Sequence, residues 1–184
     1  HHNLYLINNN GCRNECINYG KNNGYDFIFA LDSNNFLLKT EFDSIYNCML
    51  INKPEYIVIN QRRLSDNQYT NDMLMNNNKI IKNLPIQEPQ ICFHKSANHL
   101  FNEKIPYGIS PKAELLNALH IHGEWNKWNN FYGINIKKRL LNNPKVYRVG
   151  DIVRLSPFNE NNNKTANWNN RYIGLYNLIQ YLDN

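Results

Sequence analysis

The chain has 184 residues, enough for one domain with a buried core and crowded for two, so a single domain over 1–184, whole or partial, is the starting expectation. Its formal net charge is +5, but the basic residues are scattered through a chain rich in Asn, Ile, Lys and Tyr, a bias that AT-rich coding produces. No aromatic-interleaved or helix-turn-helix pattern surrounds the densest basic spots, Arg62-Arg63 and Lys137-Lys138-Arg139, so nucleic-acid binding is not expected. No apolar run approaches the roughly 18 residues of a membrane span, and none is expected in this segment.

The elements follow the punctuation of the chain. Residues 4–7 read as a first strand. Asn8, Asn9 and Asn10 then offer N-cap acceptors, Cys12, Cys16, Ile17 and Tyr19 fall on one helical face, and Asn23-Gly24 stops the helix. Cys12 and Cys16 lie one turn apart and read as reduced core residues, with a metal or redox pair as the alternative. Together with Cys48 and Cys92 they show neither zinc-ribbon spacing nor the density of a disulfide scaffold, and a reducing, cytoplasmic location is expected.

Residues 27–31 form a continuous apolar run of strand length, which suits a central strand covered on both faces. Asp32-Ser33-Asn34-Asn35 ends it with turn-forming residues at the C-terminal end of the strand, where open α/β sheets place their ligands. Such a cluster suits a metal or a phosphate, and equally a simple turn start. Residues 41–52 read as a helix with Phe42, Ile45, Tyr46 and Met49 inward, and residues 55–60 as a β-branched strand after Pro54. Residues 64–84 are polar and read as a surface excursion, and residues 90–94 as another strand. This alternation predicts an α/β fold, a mixed central sheet with helices on both faces.

Ser110-Pro111 starts a helix that runs to Leu119 and puts Glu114 in its first turn, near the positive end of the helix dipole. His120 and His122, at i and i+2 of an extended segment, point the same way and suit a shared metal, although no third ligand lies nearby in sequence. Trp125, Trp128, Phe131 and Tyr132 have the spacing of a buried helix face and also the flat surfaces that stack on sugar rings. Asn163-Lys164-Thr165 is a sequon in an Asn-rich loop over 159–170, and residues 172–182 read as a final helix with Ile173, Tyr176, Ile179 and Leu182 inward.

Arg13-Asn14 at a helix start, a Gly-ended helix, an apolar strand and then Leu31-Asp32-x-Asn34 resemble the nucleotide-sugar site of family-2-like glycosyltransferases of the GT-A fold, over about the first quarter of the chain. The resemblance implies a GT-A-like domain that is short at its N-terminus, since little chain precedes Asp32. It implies a divalent cation, Mg²⁺ or Mn²⁺, on Asp32 and Asn34, with His122 as an extra ligand; Arg13 and Asn14 would lie beside the donor diphosphate. Asn34 stands where the family motif has its last Asp. By the same resemblance Glu114 is the base that activates an acceptor hydroxyl, with Asp32 as its catalytic counterpart, on a nucleotide-sugar donor and a glycan or other hydroxyl acceptor. The alternative is a non-catalytic carbohydrate-binding or scaffold domain that has kept the sheet.

Overall fold

A computed structural model of the chain describes residues 8–64, 78–105, 112–126 and 140–155. The strand expected at 4–7, Ser110-Pro111, Trp128, Phe131, Tyr132, the basic triplet at 137–139, the sequon and the helix at 172–182 lie outside the described residues. In chain order the elements are α1 (Asn9–Asn22), β1 (Phe27–Phe29), β2 (Asn35–Phe36), α2 (Lys39–Asn52), β3 (Tyr56–Arg63), α3 (Asn78–Asn83), β4 (Ile86–His94), α4 (Ala113–Ala118) and β5 (Val146–Arg154). The five strands make one mixed sheet in the order β1-β4-β3-β5-β2. Among the described residues only β3 and β5 run parallel; the other pairings are antiparallel.

Strand β3 is the centre of the fold, because Tyr56-Ile57-Val58-Ile59 is buried on both faces. Its side chains alternate, as the pleat requires. Tyr56 and Val58 join Ile91, Phe93, Ile17 of α1 and Leu115 and Leu116 of α4 in one core cluster, whereas Ile57 and Ile59 join Cys92, Ile152 and Ile45, Cys48 and Met49 of α2 in another. The mixed sheet with helices packed on it is therefore present. Among the described residues no helix is long and apolar enough to cross a membrane.

Three expectations change. Among the described residues the 27–31 run is an edge strand and not a central one: there β1 pairs only with β4, Phe27 and Phe29 are half-buried, and Leu31 is 39% exposed. On α2 the inward residues are Ile45, Cys48 and Met49, while Phe42 and Tyr46 are exposed and stack on each other. On α1 only Ile17 of the expected apolar face is buried, and Cys12, Cys16 and Tyr19 face solvent. The buried side of α1 is instead Asn9, Asn10, Gly11, Asn14, Ile17 and Gly20.

Hydrogen bonding and close approach choose that side. The Asn8 side chain caps the helix through the Gly11 amide at 2.8 Å, Asn10 donates to the Asn102 carbonyl, and Asn14 donates to the Phe101 carbonyl while accepting from its amide. At Gly20 an added Cβ would come within 2.5 Å of Ile28, so the helix meets the sheet at a position where only glycine fits.

Strand β5 has an irregularity that also needs glycine. Its pairing with β3 shifts between Val58 and Asn60, and opposite that shift Gly150 has φ 77°, with Ile45 of α2 closing over it. Gly150→Ala should therefore combine left-handed strain with a contact of 2.8 Å to Ile45. A loss of about 2–3 kcal/mol in urea unfolding is expected. Gly24, at φ 81° with nothing within 4 Å of its added Cβ, is the control: Gly24→Ala should cost only about 1 kcal/mol.

Candidate functional site

The C-terminal ends of β3 and β5 lie side by side, with Arg63 paired to Arg154, and the turn after β1 reaches the same end of the sheet. In that turn the Asn35 amide donates to the Asp32 carbonyl at 3.1 Å, and the Leu155 amide donates to the Asn34 carbonyl at 3.0 Å. The turn is thereby anchored to the end of β5, and the Asp32 side chain turns toward α1 and the start of α4.

Both oxygens of Asp32 face cations. Arg13 of α1 approaches Oδ1 with Nη2 at 2.8 Å, and Lys112, the residue that opens α4, approaches Oδ2 with Nζ at 3.5 Å. Side-chain exposures are 10% for Arg13, 21% for Asp32 and 3% for Lys112, so the cluster is largely dry and touches solvent mainly through Asp32. The Arg13 guanidinium is held from two more directions, by Asn10 Oδ1 at 3.3 Å and by the face of Phe101, 5.8 Å away. Lys112 is fixed through its backbone, whose amide donates to Glu88 Oε1 at 2.9 Å.

A row of amides continues the cluster into the sheet. Gln90 Nε2 lies 3.4 Å from Asp32 Oδ2 and also donates to Gln61 Oε1, which Asn35 Nδ2 approaches at 3.4 Å. Gln90 Oε1, Asn35 Oδ1 and Arg154 Nε are buried without a hydrogen-bond partner among the described residues. Buried polar atoms are nearly always satisfied, so three such atoms at one end of a sheet mark a polar site and not ordinary core.

The electrostatics follow from these contacts. Burial opposes ionisation of Asp32, but the charges of Lys112 and Arg13, the Arg13 hydrogen bond and the charge of Arg154 outweigh it and hold the carboxyl well below the usual carboxylate range. Burial lowers the pKa of Lys112; the charges of Glu88 and Asp32 act against that shift, and those of Arg13 and Arg154 add to it. Asp32 is thus a carboxylate acted on by three cations.

Of the residues expected at a site, Arg13 and Asp32 meet. Asn14 does not join them: all its side-chain bonds go to Phe101 and Glu103, so it clamps the 101–103 segment onto α1. Asn34 contributes its carbonyl to the turn, and the amide that enters the network is its neighbour Asn35. Glu114 is buried in the first turn of α4, 4% exposed, but the side chain that this helix start sends to Asp32 is that of Lys112. The histidines are not on an extended segment, because His120 has φ 61° and closes the turn after α4, with its ring on the Leu141 carbonyl at 3.0 Å. The i, i+2 alternation of a strand therefore does not apply to them, and His122 is exposed.

A divalent cation of the hard, oxygen-seeking kind needs several oxygen ligands. Among the described residues no group of three His, Cys, Asp or Glu side chains is placed to hold a metal, and at Asp32 the positions a cation would take are held by Arg13 and Lys112. This donor set does not fit Mg²⁺ or Mn²⁺. A separate cavity of about 250 Å³ lies at the opposite end of β3, lined by Glu55, Tyr56, His99 and Leu141 among others. There Glu55 accepts from the Lys145 amide and the Tyr56 hydroxyl bonds the backbone of His99, and no cluster of charged side chains like that at Asp32 is found among its described lining residues.

Lys112, Gln61, Gln90 and Arg154 are missing from the sequence reading. Lys112 sits two residues before Glu114 in a helix start that sequence analysis does single out, and the two glutamines are polar breaks in otherwise apolar strands. Arg154 ends β5, whose alternation is interrupted at Gly150 and gives no clean strand signal. Compared with known proteins, the chain matches no protein-family model, no curated protein and no solved structure.

Removing the central charge should be costly. Asp32→Asn leaves two buried cations facing a neutral amide and should lower stability by about 3 kcal/mol at neutral pH. Because the native pKa of Asp32 is depressed, its contribution is complete above the unfolded value of about 3.9. It is lost as pH falls from there through the native value. Urea unfolding across the acid range should show a wild-type stability loss that is smaller in Asp32→Asn.

Proposed function

We propose that this chain transfers a sugar from a nucleotide-sugar donor to the hydroxyl of a glycan or other acceptor, on an α/β domain of the GT-A type. The observation that carries this reading is the convergence of Arg13 and Asp32, from neighbouring elements, with Lys112, some eighty residues further along the chain, at the C-terminal end of the parallel pair β3 and β5. That end of an open α/β sheet is where ligands bind, and convergence there is difficult to attribute to packing alone because it buries cations at a cost.

In the transfer the acceptor oxygen attacks the anomeric carbon of the donor sugar. The bond from that carbon to the diphosphate oxygen breaks, the diphosphate leaves with the electron pair, and a base takes the acceptor proton. Arg13 is suited to the diphosphate side, since a guanidinium matches phosphate oxygens in pairs and stabilises charge as it develops on the leaving group. Glu114 is the proposed base, two residues beyond Lys112 on the helix that opens beside Asp32.

Two measurements test the reading. Calorimetry with UDP, UDP-glucose and free glucose should show binding of the nucleotide species; binding of the free sugar alone would instead make the chain a carbohydrate-binding module. In a donor-turnover assay Glu114→Gln should lower kcat by about 100-fold or more while leaving donor affinity near wild type. Unchanged turnover in Glu114→Gln removes that residue as the base.

A further inference from the structure

Three cations, Lys112, Arg13 and Arg154, act on the Asp32 carboxylate. Arg13, Lys112 and Arg154 act on one another's surroundings, against the carboxylates of Asp32 and Glu88. With Lys112 3% and Arg13 10% exposed, two of these cations sit where water screens them poorly. A buried charge in excess is expensive unless a partner of opposite sign arrives. Arg154 also keeps a buried Nε–H that no acceptor among the described residues uses, and a guanidinium donor in that state is matched by an anionic oxygen.

We propose that this cluster takes the phosphate groups of its ligand through Arg13, Lys112 and Arg154 without a divalent cation, so that side-chain cations stand where the resemblance puts Mg²⁺ or Mn²⁺. The inference rests on the glycosyl-transfer reading only for the kind of phosphate, a nucleoside diphosphate. Asp32 then has a role opposite to that of a metal ligand. It holds Arg13 and Lys112 in place from both oxygens when the site is empty of phosphate, and it competes with the incoming anion for the same donors. The partial exposure of Asp32 gives the anion its approach, since that side chain is the most open of the three that meet there.

The test is calorimetric titration of the full chain with inorganic pyrophosphate and with UDP, each in EDTA and each with Mn²⁺. Pyrophosphate should bind in EDTA, and Mn²⁺ should leave its affinity essentially unchanged. Arg154→Gln and Lys112→Met should each weaken pyrophosphate by about tenfold or more, the loss of one charge-assisted contact, with thermal unfolding confirming that the variant is folded. Asp32→Asn should bind pyrophosphate several-fold more tightly, because the competing carboxylate is gone.

A requirement for Mn²⁺, loss of pyrophosphate binding in Asp32→Asn, or wild-type affinity in a folded Arg154→Gln each overturns the inference, and so does the absence of pyrophosphate binding by the wild-type chain. The outcomes separate this inference from the reading it rests on. Metal-dependent UDP binding would keep glycosyl transfer and discard the side-chain phosphate site. Metal-free binding of pyrophosphate with no gain for UDP would keep the phosphate site and discard the nucleotide donor.

Discussion

The two-sided ion pairing of Asp32 with Arg13 and Lys112 ties α1, the turn after β1 and the start of α4 together at the polar end of the core cluster they share. Arg13 belongs to α1, Asp32 to the turn after β1, and Lys112 to the start of α4, some eighty residues later in the chain. Each cation loses hydration as it is buried, and the pairing is favourable only because a single carboxylate offers an oxygen to each of them. The turn must also stay closed at the Asn35 amide and anchored to the end of β5 for Asp32 to face inward at all.

The docking of α1 shows the same preference for hydrogen bonds over apolar area. A helix with Cys12, Cys16 and Tyr19 available as an apolar stripe buries its asparagines instead, because Asn10 and Asn14 satisfy the backbone of residues 101 and 102. Rotating the helix to bury the thiols would leave those peptide groups without partners, and an unsatisfied buried polar group costs more than the burial of a thiol gains. The chosen rotation also brings Arg13 to Asp32 and sets its guanidinium on Phe101. A similar logic holds on the other face of the sheet, where Arg62 pairs with Asp151 at 2.6 Å and Glu41 of α2 accepts from the Asp151 amide. A basic pair that looks in sequence like a surface feature is half a structural clamp.

A motif and its surroundings point in different directions at this site. Asp32-x-Asn34 has the form of a cation-binding motif. The side chains gathered around it have the form of an anion site, since Asp32 is neutralised from both oxygens and Arg154 adds a further charge. A carboxylate binds a metal only where its lone pairs are open, and that depends on residues that no local motif contains.

The alternation of α and β elements, the positions of β3 and β4, and the asparagine cap and Gly24 stop of α1 were all legible in the chain, because they depend on period, capping and turn chemistry that act over a few residues. Which face α1 buries, that β1 pairs with β4, and that β5 bends at Gly150 against α2 were decided only by tertiary structure, since each is a choice among partners distant in sequence. The character of the site belongs to the second group. A sequence can mark Asp32 as a carboxylate at the end of a strand, but only the packed fold can bring Lys112 and Arg154 to it, and those two charges turn a place suited to a cation into one suited to an anion.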